Sequence, residues 1–479
     1  MTSPPGATAP PSAWPAGELP EHPSPRRAPV HPGWPLTALL VLYPLWWALG
    51  LGTLIVYLLA VPMAIHLWFR RPTAVPPGFG LWLLFLAWVV VSTLMLGYDP
   101  PGTVPGSVAG RLISVAFNFA GYLAATVILL YAGNLTEKEF PRRRLVRQLG
   151  SLFVVVLVGG LLGTLLPALE FTSPVELLLP RSVVSDGFVR SLVHPSAAQL
   201  QEVLGYTSPR PSAPFGYTNT WGNCLGLLLG WFVISWIAQR NVRRRVFGLL
   251  IAALGAIPVV YSLNRGLWLG LGLVLMFAVV QLALRGRFLV LTGLLVALTV
   301  AVTVLAASPL TSIIEGRLDN PKSNNIRAFT TEITLDVVSE SPVIGFGSTR
   351  AALGSSQSIA VGPNPDCQRC GNPTLGSNGQ LWLLLIAQGY GGAALYIAFF
   401  LRSMWVYRRD HTPIGVAGLL ACGLPLFFMF VYNSLTMPLV ISFLSIALLW
   451  RNQREGPAAP GAGSATALAR TDRPIGVVR

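Results

Sequence analysis

Long apolar runs dominate this chain, and they restrict its possible folds more than any other feature. A run of about 20 apolar residues is long enough to cross a bilayer as a helix. Only 11% of the residues are charged, whereas soluble domains carry about 25%. We therefore predict an all-α polytopic membrane protein. Its twelve transmembrane helices are placed at residues 36–50, 51–69, 80–97, 111–133, 148–169, 217–238, 246–262, 266–284, 288–307, 377–401, 413–431 and 434–450.

Basic clusters distinguish the two sides of the expected membrane. The first two segments are short and are separated by Gly50-Leu51-Gly52, so one long kinked helix is an alternative to two. The clusters decide in favour of twelve spans, because only then do they all fall on one side. By the positive-inside rule that side is the cytoplasm, and both termini lie there. The net charge of +15 is thus a topology signal and does not indicate nucleic-acid binding.

The two ends of the chain differ in composition from its apolar middle. Residues 1–35 and 451–479 are rich in Pro, Gly, Ala and polar residues, and we expect them to be disordered cytoplasmic segments. The transmembrane domain between them covers residues 36–450.

Three outer connections are long enough to carry function, at residues 98–110, 170–216 and 308–376. The third is a large extracytoplasmic loop between helices nine and ten, and its length predicts structure of its own. Within it, residues 326–338 have apolar side chains near the 3.6-residue period, which predicts an amphipathic helix on or near the membrane surface. A turn at Gly345-Phe346-Gly347 follows.

Arg265 is the leading functional candidate. It lies in Tyr261–Gly270, between two apolar runs, where a cation is costly unless it reaches the membrane surface or a wet cavity. An outward arginine suits an anionic head group, above all a lipid-linked phosphate; the alternative is an anchor that reaches lipid head groups. Arg327 is the second candidate, because it opens the amphipathic helix and the acids Glu332 and Asp336 are expected on a nearby face.

The cysteines and histidines predict no metal site and no cofactor. Cys367 and Cys370 cannot form a tetrahedral zinc site alone, and residues 308–376 contain no histidine. An oxidising outer compartment favours a disulfide or an inert pair over a metal or redox site. His194 is the one outer histidine, and its alternatives are a catalytic base and a surface residue.

Four segments share the pattern of one family of membrane glycosyltransferases. Asn264–Gly270 looks like the signature Ser-Arg-Gly-Ala-Trp-Leu-Gly, and Phe215–Asn219 is similar to a segment in which Asn follows a Gly/aromatic pair. Arg327–Gly347 resembles an Arg-led helix followed by Pro-Leu-x-Gly-x-Gly, and Ser377–Gly392 looks like His-Asn followed by Gly-x-x-Gly. The family is the O-antigen ligase and O-antigen polymerase superfamily, and the architectural resemblance covers most of residues 36–450.

The resemblance implies transfer of a glycan from a polyprenyl pyrophosphate carrier to a lipid, protein or glycan acceptor. The reaction takes place at the outer face of a bacterial cytoplasmic membrane, with membrane lipids as further partners. We assign Arg265 and Arg327 to the pyrophosphate and Glu332 or Asp336 to the acceptor proton. The residues expected to help bind substrate are Arg210, Asn219, Lys322, Arg350 and Asn378.

One position departs from the family pattern. Ser377 stands where the ligases carry a histidine thought to activate the acceptor hydroxyl. Either a carboxylate replaces that histidine, or the pyrophosphate leaves readily without a strong base, or the acceptor differs.

Three other functions fit parts of the same pattern. A polysaccharide polymerase of the same superfamily uses the same kind of donor. A transporter or flippase of lipid-linked saccharides is expected to carry polar groups inside its spans or internal repeats, and neither stands out here. A cell-wall polymerase of the shape, elongation and division type requires an essential outer carboxylate, for which Glu332 and Asp336 are the candidates.

Overall fold

The computed structural model describes residues 31–202, 206–308, 310–319, 322–353 and 373–456. Most of both predicted disordered arms, together with the cysteine pair Cys367 and Cys370, lies outside these residues.

Each of the twelve apolar segments contains helix. The first splits into α1 (Trp34–Val41) and α2 (Tyr43–Ala48), which at about 1.5 Å per residue are each too short to cross a bilayer. The other helices of these segments are α3 (Leu54–Phe69), α4 (Phe79–Ser92), α5 (Val108–Asn134), α6 (Arg142–Leu165), α10 (Thr218–Phe232), α11 (Val242–Leu254), α12 (Ala256–Tyr261), α13 (Arg265–Leu284), α14 (Phe288–Ala306), α17 (Gln380–Tyr407), α18 (Pro413–Phe428) and α19 (Met437–Glu455).

The long connections have structure of their own. The predicted helix is confirmed, since α16 (Lys322–Ser339) covers the whole of residues 326–338. It begins five residues before Arg327, so the expectation that Arg327 opens the helix is wrong. Two small antiparallel sheets, which the sequence did not predict, add to the helices. The elements of the connections are α7 (Pro174–Leu178), α8 (Arg181–Val184), α9 (Gly187–Val193), β1 (Ala198–Glu202), β2 (Thr207–Pro211), α15 (Leu310–Asp319), α16 (Lys322–Ser339), β3 (Arg350–Ala351) and β4 (Thr374–Leu375).

Helix length and hydropathy identify the protein as an all-α membrane protein. Within the described residues, six helices are long and apolar enough to cross a membrane, and several shorter apolar helices accompany them. The six are Val108–Asn134, Arg142–Leu165, Thr218–Ile237, Val242–Tyr261, Arg265–Leu284 and Gln380–Tyr407.

α19 forms the centre of the bundle. It is buried from Met437 to Asn452 and packs against α5 and α18. A helix surrounded on all sides needs partners for its polar groups, and Ser445 accepts a hydrogen bond from Trp231 Nε1 at 3.1 Å. The bundle therefore has a continuous packed core around one helix.

Buried arginines fix the end of α19. Arg451 is fully buried and donates from Nη2 to the carbonyl oxygen of Phe140 at 2.8 Å. Arg142, the first residue of α6, donates to Asn452 Oδ1 at 2.8 Å. Because of these contacts α19 continues to Glu455, into the segment that the sequence assigned to the disordered tail.

α17 is interrupted at Gly389, and a turn from the preceding loop fills the gap. Gly389 has φ 64° and ψ −169°, and a Cβ there would lie 2.6 Å from the carbonyl oxygen of Pro342. Backbone freed from a helix must find partners inside the protein. Four hydrogen bonds join the turn to the interrupted helix. They run from Phe346 N to Ile386 O (2.8 Å), Gly347 N to Ala387 O (2.8 Å), Tyr390 N to Pro342 O (2.7 Å) and Gly391 N to Val343 O (3.2 Å).

Candidate functional site

The turn between α12 and α13 contains a leucine in the left-handed region. Leu263 has φ 53° and is buried, although this conformation costs a residue with a Cβ roughly 1–2 kcal/mol. Asn264 follows, and Arg265 is the first residue of α13. Strained backbone of this kind persists only where the surrounding structure holds it.

Two buried arginines hold this turn through its carbonyl oxygens. Arg210, on β2, donates from Nε to the carbonyl oxygen of Ser262 at 2.5 Å. Arg317, on α15, donates from Nε to the carbonyl oxygen of Leu263 at 3.0 Å. Arg265 in turn donates from Nη2 to the carbonyl oxygen of Arg317 at 2.6 Å. The turn, the β1–β2 hairpin and α15 therefore form one connected unit.

Arg327, on α16, adds a fourth cation. It interacts electrostatically with Arg210, Arg265 and Arg317, and we call these four residues the arginine cluster. Among the described residues its guanidinium has no hydrogen-bond or ion-pair partner. Arg327 is thus the member of the cluster most available to a ligand.

Burial and mutual repulsion lower the pKa values of the cluster. Burial, with a smaller contribution from the Arg317 cation, lowers the pKa of Arg210 to about 9. Burial, with contributions from Arg265 and Arg327, lowers the pKa of Arg317 to about 10. Both groups still carry their charge at neutral pH. An anion among them would relieve the repulsion and compensate for lost hydration.

Neutral side chains connect the cluster to two neighbouring segments. Tyr432 donates from its hydroxyl to Asn264 Oδ1 at 2.5 Å, and Asn264 Nδ2 lies 3.5 Å from Asn219 Oδ1. Asn378 donates from Nδ2 to the carbonyl oxygen of Arg327 at 3.4 Å. The structure thus brings Asn219 and Asn378, both selected from the sequence, to the edge of the cluster.

Arg350 lies elsewhere and stabilises the loop that carries it. Only 3% of it is exposed, and its Nη2 donates to the carbonyl oxygens of Phe346 (3.2 Å) and Tyr98 (3.0 Å). Burial, with a contribution from Arg111, lowers its pKa to about 10. The expected role in substrate binding therefore has no geometric support. Lys322 begins α16, and its side chain is outside the described part of the chain.

Glu332 and Asp336 lie on the side of α16 away from Arg327. At 3.6 residues per turn they are rotated from Arg327 by about 140° and 180° respectively, so the expectation that they occupy a nearby face is wrong. Both are exposed, whereas Thr330 and Thr334 on the Arg327 side are buried.

A cavity of about 290 Å³ is lined in part by residues adjacent in sequence to residues that contact the cluster. Tyr432 and Asn378 contact the cluster. Their neighbours in sequence, Asn433 and Ser377, line the cavity. In the described chain the lining consists of hydroxyl, amide, aromatic, aliphatic and glycine residues and includes no Asp, Glu, Lys, Arg or His. His194 is not part of this lining; its Nδ1 lies 2.8 Å from Oε2 of Glu176, on α7.

Arg317 and Tyr432 belong to the site but were not selected from the sequence. Arg317 is one of several charges in the large loop, and no spacing distinguishes it from a solvated surface charge. Tyr432 stands in a short connection between two apolar helices, where its polar hydroxyl is the only signal.

No protein-family model and no curated protein matches this chain. Its function must therefore be inferred from its own residues and their arrangement.

Proposed function

We propose that this protein transfers a glycan from a polyprenyl pyrophosphate carrier to an acceptor in surface polysaccharide biosynthesis, as an O-antigen ligase does. The observation that carries the proposal is the arginine cluster. Four cations from four separate segments meet at one end of the helices, where a strained turn and hydrogen bonds hold Arg210, Arg265 and Arg317. Such fixed cations suit a pyrophosphate, because their orientation needs little change when negative charge develops on the leaving group.

The proposed reaction breaks the bond between the sugar's anomeric carbon and the pyrophosphate oxygen. An acceptor hydroxyl attacks that carbon, and the electron pair of the broken bond leaves with the pyrophosphate. Arg265 and Arg327 hold the departing phosphates, while Arg210 and Arg317 position the Arg265 turn. The hydroxyl proton passes to solvent or to the leaving pyrophosphate, so that the missing family histidine is not needed.

The proposal includes a membrane orientation. Twelve spans, the first made of α1 and α2 together, place both termini in the bacterial cytoplasm and α15 and α16 in an extracytoplasmic loop between spans nine and ten. The contacts among Arg210, the α12–α13 turn and Arg317 support one common end for these segments. The basic pairs and triplets lie at the other ends of the same helices, as the positive-inside rule expects of cytoplasmic connections.

A deletion strain tests the function through its glycans. We expect full-length lipid-linked polymer to accumulate while finished polymer disappears from the surface, since its transfer is blocked. Single repeat units on the carrier or surface would instead indicate a polymerase. Unchanged glycans, or intermediates confined to the inner leaflet, would contradict a transferase, and the latter would favour a flippase.

The two acids of α16 are expected to be dispensable. Since Glu332 and Asp336 are exposed and face away from Arg327, Glu332→Gln and Asp336→Asn should each change the rate of transfer less than about threefold, whereas loss of a general base costs about 100-fold or more. The measurement is the transfer rate of purified protein with a lipid-linked donor. A 100-fold loss in either variant would make that carboxylate catalytic after all.

A further inference from the structure

The cavity lined by Asn433 and Ser377 differs from the arginine cluster in chemistry. Within the described residues its lining carries no charged side chain, while hydroxyl groups come from several segments, among them Thr53, Thr220 and Thr436. Small-molecule sites combine apolar walls with a few polar groups that fix orientation. A lining of this kind suits an uncharged ligand with many hydroxyl groups.

Aromatic rings supply the apolar walls of the cavity. Tyr43 and Phe215 pack with ring centroids 5.4 Å apart, and Phe117 and Phe188 meet edge to face at 5.3 Å. All four line the cavity. A pyranose presents C–H groups on its faces and hydroxyls around its rim, so rings and hydroxyls together match a sugar.

An unsatisfied acceptor indicates which polar group the ligand offers. Asn433 lines the cavity, and its Oδ1 is buried without a hydrogen-bond partner among the described residues. The backbone of Asn433 is held in place, because Asn223 Nδ2 donates to its carbonyl oxygen at 3.3 Å. An unmet acceptor is unfavourable. A sugar hydroxyl can donate to it, whereas an ionised carboxylate cannot.

We infer that this cavity binds an uncharged saccharide unit, with Asn433 accepting a hydrogen bond from one of its hydroxyls. A uronic acid in the same place would bury a carboxylate that the described lining does not pair, which is strongly unfavourable. The inference rests on the proposed function in one respect: the saccharide is taken to be part of either the glycan donor or the acceptor.

Direct binding tests the inference without any need for transfer. Full-length protein in lipid nanodiscs is examined by saturation-transfer NMR with glucose, galactose and N-acetylglucosamine, and with glucuronic and galacturonic acids. We expect at least one neutral sugar to bind, and Asn433→Ala to weaken that binding about tenfold through loss of one hydrogen bond. Binding of uronic acids to the arginine cluster should be unaffected by Asn433→Ala.

The matched control is Gln239→Ala, which removes an amide that follows the helix Thr218–Ile237 and should leave sugar binding unchanged. The inference is overturned if no neutral sugar binds. It is equally overturned if uronic acids bind in an Asn433-dependent way, or if Asn433→Ala and Gln239→Ala have the same effect.

Transfer kinetics then identify the source of the saccharide. Asn433→Ala should raise KM about tenfold for the donor if the cavity holds the donor's sugar, and for the acceptor if it holds the acceptor's sugar, with kcat little changed. An unchanged KM for both would contradict the inference. Asn433-dependent sugar binding without any transfer would refute the proposed transferase while leaving the cavity assignment intact.

Discussion

Arg265→Ala is expected to abolish glycan transfer and to leave the protein in the membrane. Loss of one fixed donor to a developing negative charge lowers kcat by about 100- to 1000-fold. Arg265 lies at the start of α13, and its Nη2 contact to Arg317 draws it into the arginine cluster. The measurement is the rate of transfer from a lipid-linked donor, together with the affinity for farnesyl pyrophosphate.

The same arginine also helps hold α15, so lost activity could reflect a loosened loop. Arg265→Lys separates the two effects: it keeps a cation at this position but loses the planar fork that binds two phosphate oxygens at once. We expect it to retain more pyrophosphate affinity than Arg265→Ala. Arg240→Ala removes an exposed arginine that follows the helix Thr218–Ile237 and should behave like wild type. Full transfer by Arg265→Ala would refute the proposed role of the cluster.

Gly160→Val is expected to prevent folding of the bundle. A Cβ at Gly160, on α6, would lie 2.4 Å from Trp221 Cζ2 and 3.0 Å from Pro258 Cβ. The tryptophan cannot move aside, because it is fully buried and donates from Nε1 to the carbonyl oxygen of Val156 at 2.8 Å. Overpacking costs about 1–3 kcal/mol where neighbours can adjust and more where they cannot. The readouts are the thermal midpoint and the monodisperse fraction after purification.

Gly272→Val provides the matched control for this substitution. Gly272 also lies within an apolar helix, α13, but a Cβ there meets nothing within 4 Å. Replacing glycine by valine changes the intrinsic helix propensity equally in both variants. The difference in stability between the two variants therefore measures the effect of the close approach of α6 and α10. Equal thermal midpoints for the two variants would show that this contact does not limit the fold.

Hydropathy was sufficient to predict that each apolar segment contains helix, because a long apolar run has few alternatives to a membrane helix. Hydropathy also led to the prediction of Arg265 as a site residue, because a cation between two apolar runs is costly unless it reaches the membrane surface or a wet cavity. The remaining site depends on contacts between distant segments. Nothing in the spacing of Arg317 relates it to the turn at Leu263, and nothing distinguishes Arg350, which serves its own loop, from the arginines of the cluster.

Helical rotation could have corrected one expectation from the sequence alone. Five and nine residues after Arg327 lie on the opposite side of any α-helix, so Glu332 and Asp336 could have been separated from it before the fold was known. The function of Gly389, by contrast, could not be deduced locally. Its positive φ is required because a turn more than forty residues earlier in the chain enters the helix beside it.

The break in α17 also constrains how the protein is made. The turn at residues 342–347 emerges from the ribosome before its hydrogen-bond partners at residues 386–391, so these four hydrogen bonds cannot form until that later helix is synthesised and inserted. The segment that carries Arg327 therefore reaches its final position late in biogenesis. A nascent chain that stopped before Asn378 would contain all four arginines of the cluster but would lack α17 and the Asn378 side chain that donates to the carbonyl oxygen of Arg327.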